Sequence, residues 1–327
     1  MAPILSRFQG SIVVLICGLS FSFGPLTFRS VEEADAWQYL FWRSSSVAIL
    51  SIIIICLARH NPFRAIVEAG KNQIIAGILM GVLFTLFIVS LSRATAAFVL
   101  LMQCTSPFYA AFFSRIFLKE SVDRKTLIAM IFSIFGIGIM VGGNLGSGDA
   151  IGITLAAILP IFLGGYTVLI RSAPIQDPGV PVVIGGITAT IVSVIVSLPG
   201  PGLNVPVNDI MMGCIGGGIL IGIFAPLWNY AHRFVPAADV SLLLISEIIA
   251  APIWLWIWMN ETPASTTLIG GGICLASVTW LTRQVARSTK NVSRFSKRVH
   301  GLYVGAAPIF KRPDLEKTNT ETKGFQE

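Results

Sequence analysis

The chain has 327 residues, of which 54% are hydrophobic and only 12% charged, with a mean hydropathy of +0.79 and a formal net charge of +7. A soluble domain carries roughly 25% charged residues, and no water-soluble fold buries this much apolar surface, so the composition indicates a membrane protein. Of the 23 basic residues, 10 lie after position 282, which puts the positive charge in a polar tail and argues against nucleic acid as the partner.

Runs of about 20 apolar residues recur from Gly10 to Leu281, each long enough at about 1.5 Å per residue to cross a hydrocarbon core of about 30 Å. Breaks at charged, Pro-rich or Gly-rich stretches predict ten helices, near 10–28, 37–58, 72–92, 94–117, 126–143, 151–171, 180–198, 210–232, 236–259 and 264–282. The run after Arg7 has no convincing small-x-small cleavage site and more spans follow it, so it reads as the first transmembrane helix and not as a removed leader. Cys17, Cys56, Cys104, Cys214 and Cys274 fall singly in apolar runs and read as small core residues. Residues 284–327 read as a basic, disordered cytoplasmic tail. Its first part either touches anionic headgroups or acts as a solvated orientation signal.

Charge tests the count. With the N-terminus cytoplasmic, the inner connections hold Arg7, Arg59, Arg64, Lys71, Lys119, Arg124, Lys125, Arg171, Arg233 and the tail. The outer ones keep Arg29 and Arg93 but collect Glu32, Glu33, Asp35, Asp149, Asp209 and Glu261. This bias favours an even number of spans with both termini inside, in a plasma membrane such as the bacterial inner membrane.

A shift of 141 residues lays 94–121 over 235–262, matching Ala96 with Ala237, Ala97 with Ala238, Leu101 with Leu242, Ala110 with Ala251 and Glu120 with Glu261. Five helices per half is an odd number, so the second copy enters the membrane upside down, as in many secondary transporters. The expected fold is therefore all-α integral membrane, with ten transmembrane helices as two inverted five-helix repeats, 1–143 and 151–283. "TAAF" and "PAADV" open the fourth and ninth helices, Pro107 and Pro252 lie within them, Glu120 and Glu261 end them, and glycine-bearing helices follow. With Arg43 in "FWRSS", this pattern resembles the ten-helix, EamA-type branch of the drug/metabolite transporter superfamily over residues 10–282. The resemblance implies a transporter and leaves the substrate open. One departure is that Ser246-Glu247 stands where the first half has Thr105-Ser106-Pro107, so symmetrical kinks are not expected.

Glu247 sits about eleven residues from either end of its helix, hence about 16 Å deep. A charge there costs roughly 2.5 to 3.5 kcal/mol on insertion scales, so it faces the bundle interior or a wet cavity. It is a substrate contact or proton-linked switch, or else a hydrogen-bonded tie between helices; Ser246 beside it is a further candidate. Gln103 and Ser106, three apart and so on one helical face, line the cavity or glue helices. Tyr109, on the same broad side, offers a stacking surface or packs in the core. Arg43, about 9 Å inside the outer face, either snorkels to that surface or captures anionic substrates, at a depth that disfavours pairing with Glu247. Trp228, Asn229, Tyr230 and His232, with Tyr166 at comparable depth, form an inner vestibule or an interfacial belt. Trp254, Trp256 and Trp258 read as an outer belt, and Asp239 as a helix cap. Gly77/Gly81, Gly138/Gly142, Gly213/Gly217 and Gly218/Gly222 have the spacing of close helix contacts.

The expected function is an alternating-access secondary transporter, chiefly an exporter of small amphipathic metabolites such as amino acids, with proton coupling through Glu247 as its sharper form. No GxxxxGK[ST] loop occurs, so hydrolysis in this chain does not drive it. Neither a GxSxG elbow nor a His/acid cluster suggests an enzyme, and no cofactor or metal is expected. The rival reading is a membrane sensor or assembly subunit signalling through the tail. The implied partners are a small-molecule substrate and the lipid bilayer, and a homodimer is compatible with the architecture.

Overall fold

The computed structural model of the protein describes residues 6–58, 61–117, 119, 124–144, 149–172, 177–200, 202–231, 234–235, 237–281 and 283. The tail read from the sequence, Glu120 and His232 lie outside them. Elements among the described residues are helical, and their order follows the apolar runs. A capping box of Ser6 and Gln9 starts α1, Arg7–Phe21, and α2, Gly24–Arg29, follows after a break. Asp35 and Gln38 form a second capping box at the head of α3, Ala36–Leu57. Next come the short α4, Pro62–Glu68, then α5, Gly70–Arg93, α6, Ala96–Gln103, α7, Ser106–Phe117, and α8, Arg124–Asn144. The second half runs α9, Ala150–Ser172, α10, Val180–Ser197, α11, Val207–Cys214, a π-helical segment Ile215–Ile223, α12, Phe224–Ala231, and α13, Ala237–Met259. A final helix, α14, covers Ser265–Leu281.

Taking α1 with α2, α6 with α7, and α11 through α12 as single elements, eight helices among the described residues are long and apolar enough to cross a membrane. Ser246–Met259 and Ser265–Leu281 are shorter apolar stretches. Three predicted helices are irregular. The first breaks at Ser22-Phe23, just ahead of Gly24 and Pro25, where a missing proline N–H interrupts the ladder. The fourth breaks at Cys104-Thr105, ahead of Pro107, whereas α13 runs on through Pro252. The eighth loosens into π geometry over its glycine-rich centre.

Helix association inside a bilayer rests on close packing, because lipid is as apolar as a leucine side chain. The bundle packs α3 on α10, α5 on α9 and α10, α3 on α11 and the π segment, α9 on α6 and α7, α1 on α12 and α13, and α13 on α2 and α6. Gly136 of α8 and Gly270 of α14 meet face to face, and Cys274 Sγ reaches the Ser133 carbonyl at 3.4 Å. A β-carbon at Gly217 would run into the Arg43 carbonyl, so glycine is what lets the π segment lie on α3. Gly77 and Gly81 meet α10 in the same way, but a β-carbon at Gly138 or Gly142 would meet nothing within 4 Å among the described residues, against the expectation from spacing. The cysteines are free, and Cys56 lies on the surface and not in the core.

At one end, the buried Asp209 carboxylate accepts the N–H groups of Glu32, Glu33 and Ala34 at 3.0, 2.9 and 2.8 Å, clasping the 32–34 loop. The sequence marks Asp209 only as a loop charge; three converging amides give it a structural role. At the same end Arg93 pairs with Asp149.

Gly217→Leu is expected to destabilise the protein by at least about 1–3 kcal/mol through overpacking, while Gly138→Ala is tolerated; thermal unfolding in detergent measures both. The Arg93 guanidinium, aided by the Ile151 and Gly152 amides, holds the Asp149 carboxyl below its usual range. Its stabilising effect is thus complete above the ordinary aspartate pKa of about 3.9 and fades as pH falls through the lowered value. Asp149→Asn should flatten that acid limb, and added salt should do the same.

Candidate substrate-binding cavity

Arg43 points inward from the middle of α3 and is only 2% exposed. Its guanidinium carbon lies 5.1 Å from the Phe84 ring centroid on α5. Among the described residues Nε and Nη1 find no hydrogen-bond acceptor, and no ion pair forms. A cation over a ring recovers about 2 kcal/mol when desolvated, well short of the several kcal/mol that removing an ion from water costs. The snorkelling expectation is therefore corrected: the side chain turns into the bundle, where the Phe84 face receives it. One turn back, Tyr39 is fully buried, edge-on to Phe28, and its hydroxyl lies 2.8 Å from Thr27 Oγ1. Thr27 Oγ1 donates to the Gly24 carbonyl, so the Tyr39 hydroxyl is the donor of that pair.

Arg43 borders a cavity of about 200 Å³ whose wall also includes Glu247 of α13, Gln103 at the end of α6, Tyr166 of α9 and Trp228 of α12. Phe21, Gly24, Met80, Leu83, Phe84, Phe87, Leu159, Leu163, Leu220, Ile221 and Ala225 complete it. Glu247 is half-buried, and no hydrogen bond or ion pair joins it to another described residue. The site thus holds a guanidinium, a carboxyl group and one amide in an otherwise apolar, aromatic chamber. Such a low-dielectric wall strengthens any charge-assisted contact a guest makes.

Five of the predicted site residues come together here: Arg43, Gln103, Tyr166, Trp228 and Glu247. Asn229 stands just behind them, donating to the Pro178 carbonyl at 3.0 Å and facing the Tyr166 hydroxyl at 3.4 Å. It orients Tyr166 and does not line the cavity. The remaining three lie elsewhere. Ser246 Oγ donates to the Leu243 carbonyl of its own helix at 2.6 Å. Tyr109 packs on Gly164 of α9, where its β-carbon leaves no room for another. Ser106 starts α7 beyond the break that separates it from Gln103, so the two do not share one continuous helical face. The tryptophan belt is also corrected: Trp256 and Trp258 are exposed, but Trp254 stacks on Phe23 at 5.4 Å and donates to Ser22 Oγ at 3.0 Å. Phe84 and its neighbours on α5 were missed by residue chemistry, although 80, 83, 84 and 87 form a helical stripe that marks a shared face.

The sequence pattern of the EamA-like transporter family matches residues 8–142 and again residues 150–283. The chain belongs to the EamA-like transporter family. A Bacillus subtilis (strain 168) protein described as "Uncharacterized transporter YdfC" is 26% identical over 216 residues, or 62% of this chain and 68% of that one. A solved structure described as "Crystal structure of protein" superposes with a TM-score of 0.61 at 18% identity, covering 84% of this chain and 98% of its own. That likeness concerns the fold alone. This EamA-like protein is accordingly an integral membrane transporter, and the cavity at Arg43 and Glu247 is its candidate binding site.

Replacing the buried guanidinium with an apolar side chain of similar length tests its role. Arg43→Met is expected to leave thermal stability unchanged or raised, because an unpaired buried charge disappears. A loss of several kcal/mol on unfolding in detergent would instead assign Arg43 to the scaffold.

Proposed function

We propose that this EamA-like protein is an alternating-access secondary transporter, working as an exporter, of small amphipathic metabolites that carry a carboxylate and an amine, as amino acids do. The observation that carries the reading is that Arg43 and Glu247 border one largely apolar cavity, with Arg43 Nε and Nη1 and the Glu247 carboxyl making no hydrogen bond to another described residue. A substrate carboxylate on the guanidinium and an ammonium on the carboxylate would satisfy both, with an apolar side chain against Phe84, Phe87 and Trp228. Gln103 supplies a neutral donor and acceptor between the poles.

Helix packing supports two inverted five-helix halves, 1–143 and 151–283, with ten spans in all. Exchange α1/α2 with α9, α3 with α10, α5 with α11 through α12, α6/α7 with α13, and α8 with α14. The pairing of α5 with α10 becomes that of the π segment with α3, and α5 with α9 becomes α12 with α1. The pairing of α9 with α6 and α7 becomes α13 with α1 and α2, while α3 with α10, α6 with α13 and α8 with α14 map onto themselves. A pseudo-twofold axis in the membrane plane produces this exchange, and the site lies where the halves meet. The charge bias of the connections fits both termini in the cytoplasm of a bacterial inner membrane.

Uptake and counterflow of radiolabelled amino acids in proteoliposomes test the proposal. Arg43→Gln and Glu247→Gln should each weaken substrate affinity about 10- to 150-fold, the loss expected for one charge-assisted contact of about 1.5–3 kcal/mol. Equal flux in protein-free vesicles, or unchanged affinity in both variants, would overturn it. An imposed pH gradient should drive native flux and fail to drive Glu247→Gln; flux indifferent to the gradient would leave facilitation as the mechanism.

A further inference from the structure

Two layers of contact lie around α2, beside the part of the cavity wall that Phe21 and Gly24 form. In the inner layer the Phe23 ring stacks on Trp254 at 5.4 Å and 10°, and Trp258 lies 5.4 Å from Trp254. Trp254 Nε1 donates to Ser22 Oγ, whose own proton goes to the Leu19 carbonyl at 2.6 Å. In the outer layer Arg29 Nε donates to Glu261 Oε2 at 2.9 Å and Nη2 to the Ala94 carbonyl at 2.9 Å. The second oxygen of Glu261 accepts the Ala96 N–H at 2.7 Å, a first-turn amide of α6 that Thr95 leaves uncapped. One carboxylate from the end of α13 thereby caps α6 and holds α2. Four of these contacts, Phe23–Trp254, Ser22–Trp254, Arg29–Glu261 and Ala96–Glu261, join the segment matched at 8–142 to the segment matched at 150–283.

The same place carries a joint. Phe23 N–H bonds back three residues to Ser20, Gly24 opens α2, and Pro25 offers no N–H at all. The residues on either side of the joint, Phe21 and Gly24, line the cavity. A movement of α2 about Ser22-Phe23 would part Phe23 from Trp254 and Arg29 from Glu261, opening a path to the chamber beside Gly24.

We propose that Phe23–Trp254 and Arg29–Glu261 are the two layers of a gate at this end of the cavity, shut in this structure and opened by α2 turning on the Ser22-Phe23 joint. The role of such a gate rests on the alternating-access reading, but its existence is testable without a substrate. Gly24→Cys makes a reporter, since a β-carbon there meets nothing within 4 Å. Sealed membrane vesicles of both orientations are treated with a membrane-impermeant maleimide, and modification of residue 24 is followed by peptide mass spectrometry. Labelling of Glu33→Cys, an exposed position beside α2, identifies the face on which the gate lies.

From that face the Gly24→Cys reporter should react slowly, and several-fold faster when combined with Arg29→Gln, Glu261→Gln or Trp254→Ala. Glu261→Gln preserves shape and an acceptor, so it tests the outer layer with the fold intact even if Trp254→Ala folds poorly. Asp209→Asn, which loosens the 32–34 clasp at the same end without touching α13, should leave the rate where it was. Unchanged rates in the gate variants, equal acceleration by Asp209→Asn, or acceleration only from the other face would overturn the gate. Faster labelling in a protein that moves no amino acid would refute the transport reading and leave the gate standing; intact flux with unchanged labelling would refute the gate alone.

Discussion

A buried guanidinium that lacks an acceptor is the constraint around which this bundle is arranged. Arg43 lies on Phe84 with Nε and Nη1 unmatched among the described residues, and Glu247 borders the same chamber without a hydrogen bond from its carboxyl to any of them. Taking either group out of water is unfavourable by several kcal/mol, and packing alone does not recover it. A scaffold selected only for stability would place apolar side chains at both positions. Both groups instead border one chamber.

The surrounding architecture holds Arg43 in place by close helix contact. Glycines bring the π segment against α3 directly behind Arg43, so the backbone that carries the cation is held by close contact. The helical ladder is irregular at Ser22-Phe23 ahead of α2, at Cys104-Thr105 beside Gln103, and through the π geometry of 215–223. At the first two, Phe23, Cys104 and Thr105 bond back only three residues, to Ser20, Leu101 and Met102, where a regular ladder would reach four.

Several features of the site were readable from residue chemistry. A carboxylate, an amide and an arginine inside apolar runs are rare enough that Glu247, Gln103 and Arg43 mark themselves, and all three reach the cavity. Distance along a helix was less informative than it first looks. Counting residues puts Arg43 near the outer face, where a long side chain can reach water, yet the count carries no information on rotation about the axis or on the ring waiting across the interface. The pairing of Gln103 with Ser106 fails for a related reason, since a three-residue spacing aligns two side chains only within one unbroken helix. Tyr109 and Ser246 show the commoner fates of polar and aromatic groups in membranes, which are close packing on glycine and bonding to the helix's own carbonyls.

The linear chain by itself determined the class of environment, the positions of the apolar segments and the twofold recurrence of the family pattern. These follow from local quantities: hydropathy summed over about 20 residues, the residue types at segment ends, and self-similarity at a fixed shift. Which side chains meet was decided only in three dimensions. The Arg43–Phe84 stack, the Asp209 clasp and the Arg29–Glu261–Ala96 junction each join groups from elements whose relative rotation and approach depend on glycine contacts and helix breaks. Depth and composition add along a chain, whereas azimuth and contact emerge from packing, and it is the latter that makes a chamber out of separate apolar helices.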